Sequence, residues 1–203
     1  SEKSKESKDL AIKETQKISL KFTYFVIMLI VLTSLFSVKI VYIFFDERYY
    51  DTWKMIPLLA SSYIFRSLYC FSSSGIFYEK KTGKVAIITA VSGLINIGLN
   101  LWLIPIYGIM AAIYTTMFSF FLTFIMAEAV SYKIYYLHLN IKKIFLIVSF
   151  MYGSIVCSML LNNNFLEFGY IEYVYKVLIL IIGVLIGYKL NLLDVSKLNK
   201  VKD

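Results

Sequence analysis

The sequence predicts an all-α, polytopic membrane protein with six transmembrane helices. Three observations carry that reading. Apolar residues make up 59% of the 203 residues and charged residues only 17%, against about 45–50% and 25% in ordinary soluble domains. Six apolar stretches each reach the roughly 20 residues that a helix needs to cross about 30 Å of hydrocarbon. The basic residues between them alternate from abundant to scarce, as topology signals do. Hydrocarbon offers the backbone no hydrogen-bond partner, so the stretches must be helices. They are also too long and continuous for barrel strands of about 10 alternating residues. A mean hydropathy of +0.72 argues against a water-soluble enzyme, a disordered chain or a disulfide scaffold.

Residues 1–21 are polar and Lys-rich. They read as a cytoplasmic linker, either solvated or a frayed helix at anionic headgroups, where each nearby Lys contributes about 1 kcal/mol. The first span covers 22–45. It is too long for a signal peptide and leads into an acidic-aromatic loop rather than a small-residue cleavage site. The second span covers 55–78, the third 85–104 and the fourth 108–131. Pro105 and Gly108 end the third helix and start the fourth across a short outer turn. Ala111 and Ala112 then allow close helix approach. The fifth span covers 142–161 and the sixth 172–190, where Gly183-x-x-x-Gly187 reads as a packing face. Residues 191–203 form a cytoplasmic tail. Position 1 is Ser and no signal peptide is present, so the chain is expected to be part of a longer protein.

Charge sets the orientation. Sixteen basic residues fall on one side of the six spans, in 1–21, 79–84, 132–143 and the C-terminal end; Arg48 and Lys54 fall on the other. This positive-inside asymmetry puts both termini in the cytoplasm. The net charge of +8 is thereby topological, and no nucleic-acid partner is expected. Trp53, Trp102, Tyr49, Tyr50 and Tyr107 occupy outer span ends, as an interfacial aromatic belt does.

Three cations lie inside the spans. Lys39 and Lys176 are close enough to outer ends to snorkel toward the headgroups as interfacial anchors. Arg66 lies midway along 55–78. A central charge costs at least about 2.5 kcal/mol on insertion scales and normally faces a bundle interior or a wet cavity. Glu128 is the natural partner by charge, but its depth differs by roughly 13 Å at the helical rise. Arg66 therefore calls for another anion, on a ligand or on a further part of the protein; a structural hydrogen-bonding role is the alternative. Ser62, Arg66, Tyr69 and Ser73 share one helical face. Thr89, Ser92, Asn96 and Asn100 form a similar stripe on the third span, and Thr115 or Thr116, Ser119 and Thr123 on the fourth. Together the stripes are candidates to line one cleft. Interhelical hydrogen bonding, about 0.6 kcal/mol per contact, is the competing reading.

Other chemistry has little to build on. Cys70 and Cys157 lie inside spans without a CxxC pair and read as free, buried thiols. His138 is the sole histidine and sits in an inner loop, so no metal site is expected. There is no P-loop, and no cofactor is implied. Asp46, Glu47 and Asp51 share a short outer loop and read as a solvated, helix-ending cluster rather than a glycosyltransferase site.

One stretch resembles a known pattern: Asn96-Ile-Gly-Leu-Asn100, then Ile104-Pro105-Ile-Tyr107-Gly108-Ile, then Ala111-Ala112-Ile-Tyr-Thr115-Thr116. It looks like the corresponding run of polysaccharide (oligosaccharide) flippases in the multidrug, oligosaccharidyl-lipid and polysaccharide exporter superfamily. Tyr49-Tyr50, Trp53, Ile56-Pro57-Leu58-Leu59 and Lys80-Lys81-Thr82 resemble that family too, in the same order. The likeness covers most of residues 20–135. Asp46 and Ala111 depart from it, each standing where the family favours Gly. The resemblance implies that the chain is the C-terminal, six-helix lobe of a larger transporter, with an N-terminal lobe as partner. It implies alternating-access flipping of undecaprenyl-pyrophosphate-linked oligosaccharide across the bacterial inner membrane. Arg66 would be the candidate to meet pyrophosphate or acidic sugars, while Ser62, Tyr69 and Ser73 are cavity candidates through their shared helical face. Asn96 and Asn100 would also be cavity candidates, or would support the helix pair. Two alternatives stand beside it: a related drug or small-molecule antiporter, which would favour a membrane-embedded acid, and a truncated lobe that does not transport.

Overall fold

The computed structural model describes residues 2–134, 141–164 and 169–193. The described chain is almost wholly helical. Helices α1 (Glu2–Leu35) and α2 (Ser37–Phe44) are followed by a 3₁₀ segment (Glu47–Lys54), then α3 (Met55–Tyr78), α4 (Thr82–Tyr107), α5 (Ile109–Ile134), α6 (Ile141–Asn164) and α7 (Gly169–Lys189). His138 and the tail beyond Leu193 lie outside the described residues.

Four stretches are long and apolar enough to cross a membrane: Glu14–Leu35, Thr82–Tyr107, Ile109–Lys133 and Lys142–Leu161. They mark the chain as a membrane protein. Two of the expected spans differ in character. Arg66 and a run of serines dilute the apolar content of α3, and Glu172, Lys176 and Lys189 do so in α7.

The first expected span is interrupted at Phe36, where φ is −102° and ψ is 8°. The break is mild, because the helical bonds from Phe36 to Leu32 (3.1 Å) and from Ile40 to Phe36 (2.9 Å) persist across it. Upstream, α1 runs without interruption from Glu2 through the Lys-rich segment into the apolar one. Residues 1–35 hold no Gly or Pro. Once an apolar helix nucleates downstream, Lys, Glu, Gln and Ala extend it at one hydrogen bond per residue.

Helix α1 is the hub of the first core. Tyr24, Ile27, Val31 and Leu35 recur at helical spacing and pack with Ile64 and Leu68 of α3, Ile147, Met151 and Ile155 of α6, and Leu192. A second core joins Tyr69 and Ile76 of α3, Val85 and Ile88 of α4, and Ala127 of α5.

Between these cores, α3 and α5 pack along a seam of small residues. Ala111, Thr115, Ser119, Thr123, Ala127 and Ser131 recur every four positions on α5, and all are buried. Ser61, Ser62, Ser67, Ser72 and Ser73 are buried on α3. Several hydroxyls bond back to their own helix: Ser62 donates to the Leu59 carbonyl at 2.6 Å and Thr123 to Ser119 at 2.7 Å. Small side chains let two helices approach closely in lipid; the buried Ser119 hydroxyl has no hydrogen-bond partner among the described residues.

Helix α7 docks on α1 through its GxxxG face. The Tyr24 hydroxyl donates to the Gly183 carbonyl at 2.9 Å. A Cβ on Gly183 would lie 2.8 Å from Met28 Sδ, and one on Gly187 would strike the Tyr24 ring, 2.5 Å from Cζ. Only glycine leaves room for the tyrosine between the two helices.

The turn between α4 and α5 is a single residue, Gly108, at φ 65° and ψ −153°. That conformation is essentially restricted to glycine. Its N–H still donates to the Ile104 carbonyl at 2.8 Å, and its own carbonyl accepts from Ala111 at 3.0 Å. Pro105 sits inside the last turn of α4.

Candidate functional site

Arg66 lies at the middle of α3, and its residue is exposed although the flanking Ser67 and Leu68 are buried. Its guanidinium carbon sits 5.1 Å from the Tyr69 ring centroid and 6.0 Å from that of Phe120 on α5. Contacts of this kind supply about 0.5–2 kcal/mol, less than the full cost of a central charge in lipid. Among the described residues, no carboxylate lies within ion-pair distance of it. Glu128 is engaged elsewhere, accepting a hydrogen bond from Ser72. The depth mismatch read from the sequence agrees with this separation.

The guanidinium faces an open groove of about 420 Å³ between α1 and α3. Phe22 and Val26 of α1 form one wall; Tyr63, Arg66, Ser67, Tyr69, Cys70, Ser73 and Phe77 of α3 form the rest. Tyr63 is held edge-on against Phe120, with centroids 5.8 Å apart. Phe22 is held likewise against Phe71 at 5.5 Å. The aromatic walls are therefore fixed by packing with α1 and α5. A mostly apolar groove with one fixed cation and a few hydroxyls suits an amphiphile that carries an anionic group. The guanidinium would orient that group through paired hydrogen bonds.

The expected constellation is only partly assembled. Arg66, Tyr69 and Ser73 line the groove together. Ser62 does not: it is fully buried, and its hydroxyl donates to the Leu59 carbonyl of its own helix. Asn96 and Asn100 do not join them either. Asn100 donates to the Asn96 side-chain oxygen at 3.1 Å and accepts from Thr115, so the pair clamps α4 to α5. The Asn96 Nδ2 is buried without a hydrogen-bond partner among the described residues. Of the α4 stripe, Thr89 meets the Tyr69 hydroxyl at 3.2 Å and Ser92 approaches Met126 at 4.0 Å. The three stripes thus do not line one cleft. Those of α4 and α5 are mainly seam and clamp residues, because polar groups in lipid satisfy one another first.

Cys70 was expected to be buried and is exposed in this groove, one turn from Arg66. The i+4 relation to Arg66 was the signal available for it. Phe120 and Phe22 carried no such signal, since they come from other helices.

The reading of Lys176 as a snorkelling anchor is corrected. Lys176 is 1% exposed, ion-paired with Glu172 one turn away, and 5.1 Å from the Phe36 ring centroid at the α1–α2 break. The sequence placed it by depth alone. The i, i+4 partner and the gap beside Phe36 give it a better site than the headgroups do. Lys39 crosses to α7, donates to the Tyr173 hydroxyl and lies 4.0 Å from that ring's centroid. Both lysines therefore tie α7 to the α1–α2 break. Ser158 of α6 adds a hydrogen bond to the Ser34 carbonyl at 3.0 Å.

Among the described residues no His, Cys, Asp and Glu cluster could hold a metal ion. Comparison of the chain with known protein families, with curated proteins and with solved structures finds no match.

Proposed function

We propose that this chain is the C-terminal lobe of an exporter that flips lipid-linked oligosaccharides across the bacterial inner membrane by alternating access. In this reading α1 with α2, and each of α3 to α7, span the bilayer, six spans in all, with both termini in the cytoplasm. Arg66 meets the pyrophosphate of an undecaprenyl-linked repeat unit, and the aromatic walls of the groove accompany its apolar and sugar portions. Tyr69 and Ser73 supply hydroxyls beside it. Asn96, Asn100 and Ser62 hold helices together. An N-terminal lobe closes the groove from the other side.

A single observation carries the proposal: a guanidinium at mid-helix in a lipid-solvated chain faces an open groove with no carboxylate beside it. A charge so placed is normally functional. The resemblance of residues 96–116 to polysaccharide flippases supplies the substrate class. An antiporter of cationic drugs is disfavoured because the groove's charge is positive.

Arg66→Ala in the complete protein is expected to abolish complementation of a flippase-deficient strain at unchanged membrane insertion. Arg66→Lys is expected to retain part of it. Full complementation by R66A removes the guanidinium from the mechanism.

A further inference from the structure

The 3₁₀ segment that joins the end of α2 to the start of α3 borders an apolar pocket of about 510 Å³. Side chains three residues apart eclipse one another in a 3₁₀ helix. Tyr49, Thr52 and Met55 therefore form one ridge, and all three line the pocket. Val41 of α2, with Ile113 and Thr116 of α5, stands among the other walls. The segment is held in place. The Asp46 side chain caps it by accepting from the Arg48 N–H at 3.2 Å, and Tyr50 stacks on Tyr42 of α2 with ring centroids 4.0 Å apart.

The lining suits a hydrocarbon chain. No charged side chain is among the described lining residues. Both threonine hydroxyls are engaged by backbone of their own elements: Thr52 donates to the Tyr49 carbonyl at 2.6 Å and Thr116 to the Ala112 carbonyl at 2.7 Å. The other two ridges of the segment carry charge. Arg48, Asp51 and Lys54 form one, and Glu47 lies on the other with Tyr50 and Trp53. The four charged residues are exposed. Arg48 is ion-paired with Asp46 at 3.2 Å. That leaves Glu47 and Asp51 against Lys54, so the rim of the pocket bears both signs with an excess of acid. Tyrosine and tryptophan beside such charges are typical of a membrane boundary.

Lipid tails are as apolar as leucine, so an apolar pocket alone prefers no particular lipid. A preference has to come from the rim. Its acid excess repels a headgroup that is only anionic. A primary ammonium donates hydrogen bonds to carboxylates, and a quaternary ammonium has no N–H to donate. We infer that the pocket holds an acyl chain of phosphatidylethanolamine, whose ammonium meets Glu47 and Asp51 while its phosphate faces Lys54. The site rests on the membrane reading of the chain and not on transport. A failed flipping assay would leave it standing, and its own failure would leave the Arg66 groove untouched.

The test is lipid retention by the full chain, read by native mass spectrometry of protein released from nanodiscs. The nanodiscs hold equal amounts of phosphatidylethanolamine, phosphatidylcholine and phosphatidylglycerol with matched acyl chains. The expected result is a several-fold preference of the unmodified chain for phosphatidylethanolamine. E47Q/D51N alters only exposed positions, so the core stays intact, and it abolishes the preference. A112F projects a ring into the pocket and lowers the retained phosphatidylethanolamine several-fold. I109W obstructs the same pocket from an exposed lining position outside both cores and has the same effect. L94F adds comparable bulk to an exposed position on α4 and leaves retention unchanged. Equal retention of the three lipids by the unmodified chain, or a preference for phosphatidylglycerol, overturns the site. An unchanged preference in E47Q/D51N overturns it too, as does full retention in both A112F and I109W or an equal loss in L94F.

Discussion

Gly187→Ala tests whether α7 is held on α1 by the tyrosine seated between its glycines. A Cβ at Gly187 would stand 2.5 Å from Tyr24 Cζ and 3.0 Å from Cε1, well inside contact distance. Tyr24 is 5% exposed and belongs to the first core, so its ring cannot rotate into open space. The helices must separate or the ring must leave its rotamer, an overpacking cost of about 1–3 kcal/mol. Displacing the ring also breaks its hydrogen bond to the Gly183 carbonyl, 2.9 Å long, worth about 0.5–1.5 kcal/mol. The sum predicts a loss of about 1.5–4.5 kcal/mol in unfolding free energy, measured by denaturant titration in mixed micelles. The coupling identifies the cause. Tyr24→Phe alone forfeits only the hydrogen bond, and in that background Gly187→Ala should cost distinctly less, because the hydroxyl is gone. A neutral Gly187→Ala refutes the packing argument; an equal penalty in both backgrounds refutes the share assigned to the hydroxyl, because Cζ and Cε1 remain in phenylalanine.

Other outcomes follow from the same geometry. Gly108→Ala forces an L-residue into a glycine-only conformation at the α4–α5 turn and should cost about 1–3 kcal/mol by the same titration. Glu172→Gln leaves the buried Lys176 ammonium without its partner and should cost about 3–5 kcal/mol; Glu172→Gln with Lys176→Met should recover most of that loss, since the pair is then gone as a unit. Cysteine labelling of residues 79–84 in intact cells should fail from outside and succeed after permeabilisation, whereas external labelling would reverse the proposed orientation.

Helix positions from α3 onward were legible in the sequence where an apolar run is bounded by chemistry that stops or reorients a helix; the Lys-rich start of α1 carries no such signal. The second span coincides with α3, and Gly108 separates α4 from α5 where Pro105 and Gly108 announced a turn. The GxxxG face was legible as packing, but not its occupant. Nothing local to α7 says that Tyr24, more than 150 residues away, fills the gap between Gly183 and Gly187. The candidate site was legible only along one helix. Spacing joined Arg66, Tyr69 and Ser73, but it also joined Ser62, which is fully buried away from the groove. The stripe residues of α4 looked like cavity lining because a polar face reads alike whether water or another helix covers it. Asn100 and Thr115 settle the matter only once α4 and α5 are seen side by side. Lys176 was misplaced because depth in the bilayer was weighed without the i, i+4 carboxylate of Glu172.

Cys70 provides a reporter inside the groove itself, one turn from Arg66 and exposed. The rate of its alkylation by a small maleimide, measured in the complete protein with Cys157 replaced by Ser, reads occupancy of the groove directly. Pyrophosphate-linked lipid oligosaccharide is expected to slow that rate several-fold in the Arg66 protein and to leave it unchanged in R66Q. Equal rates with and without the lipid in the Arg66 protein, or equal protection in R66Q, would contradict the assignment of Arg66 and this groove to an anionic substrate.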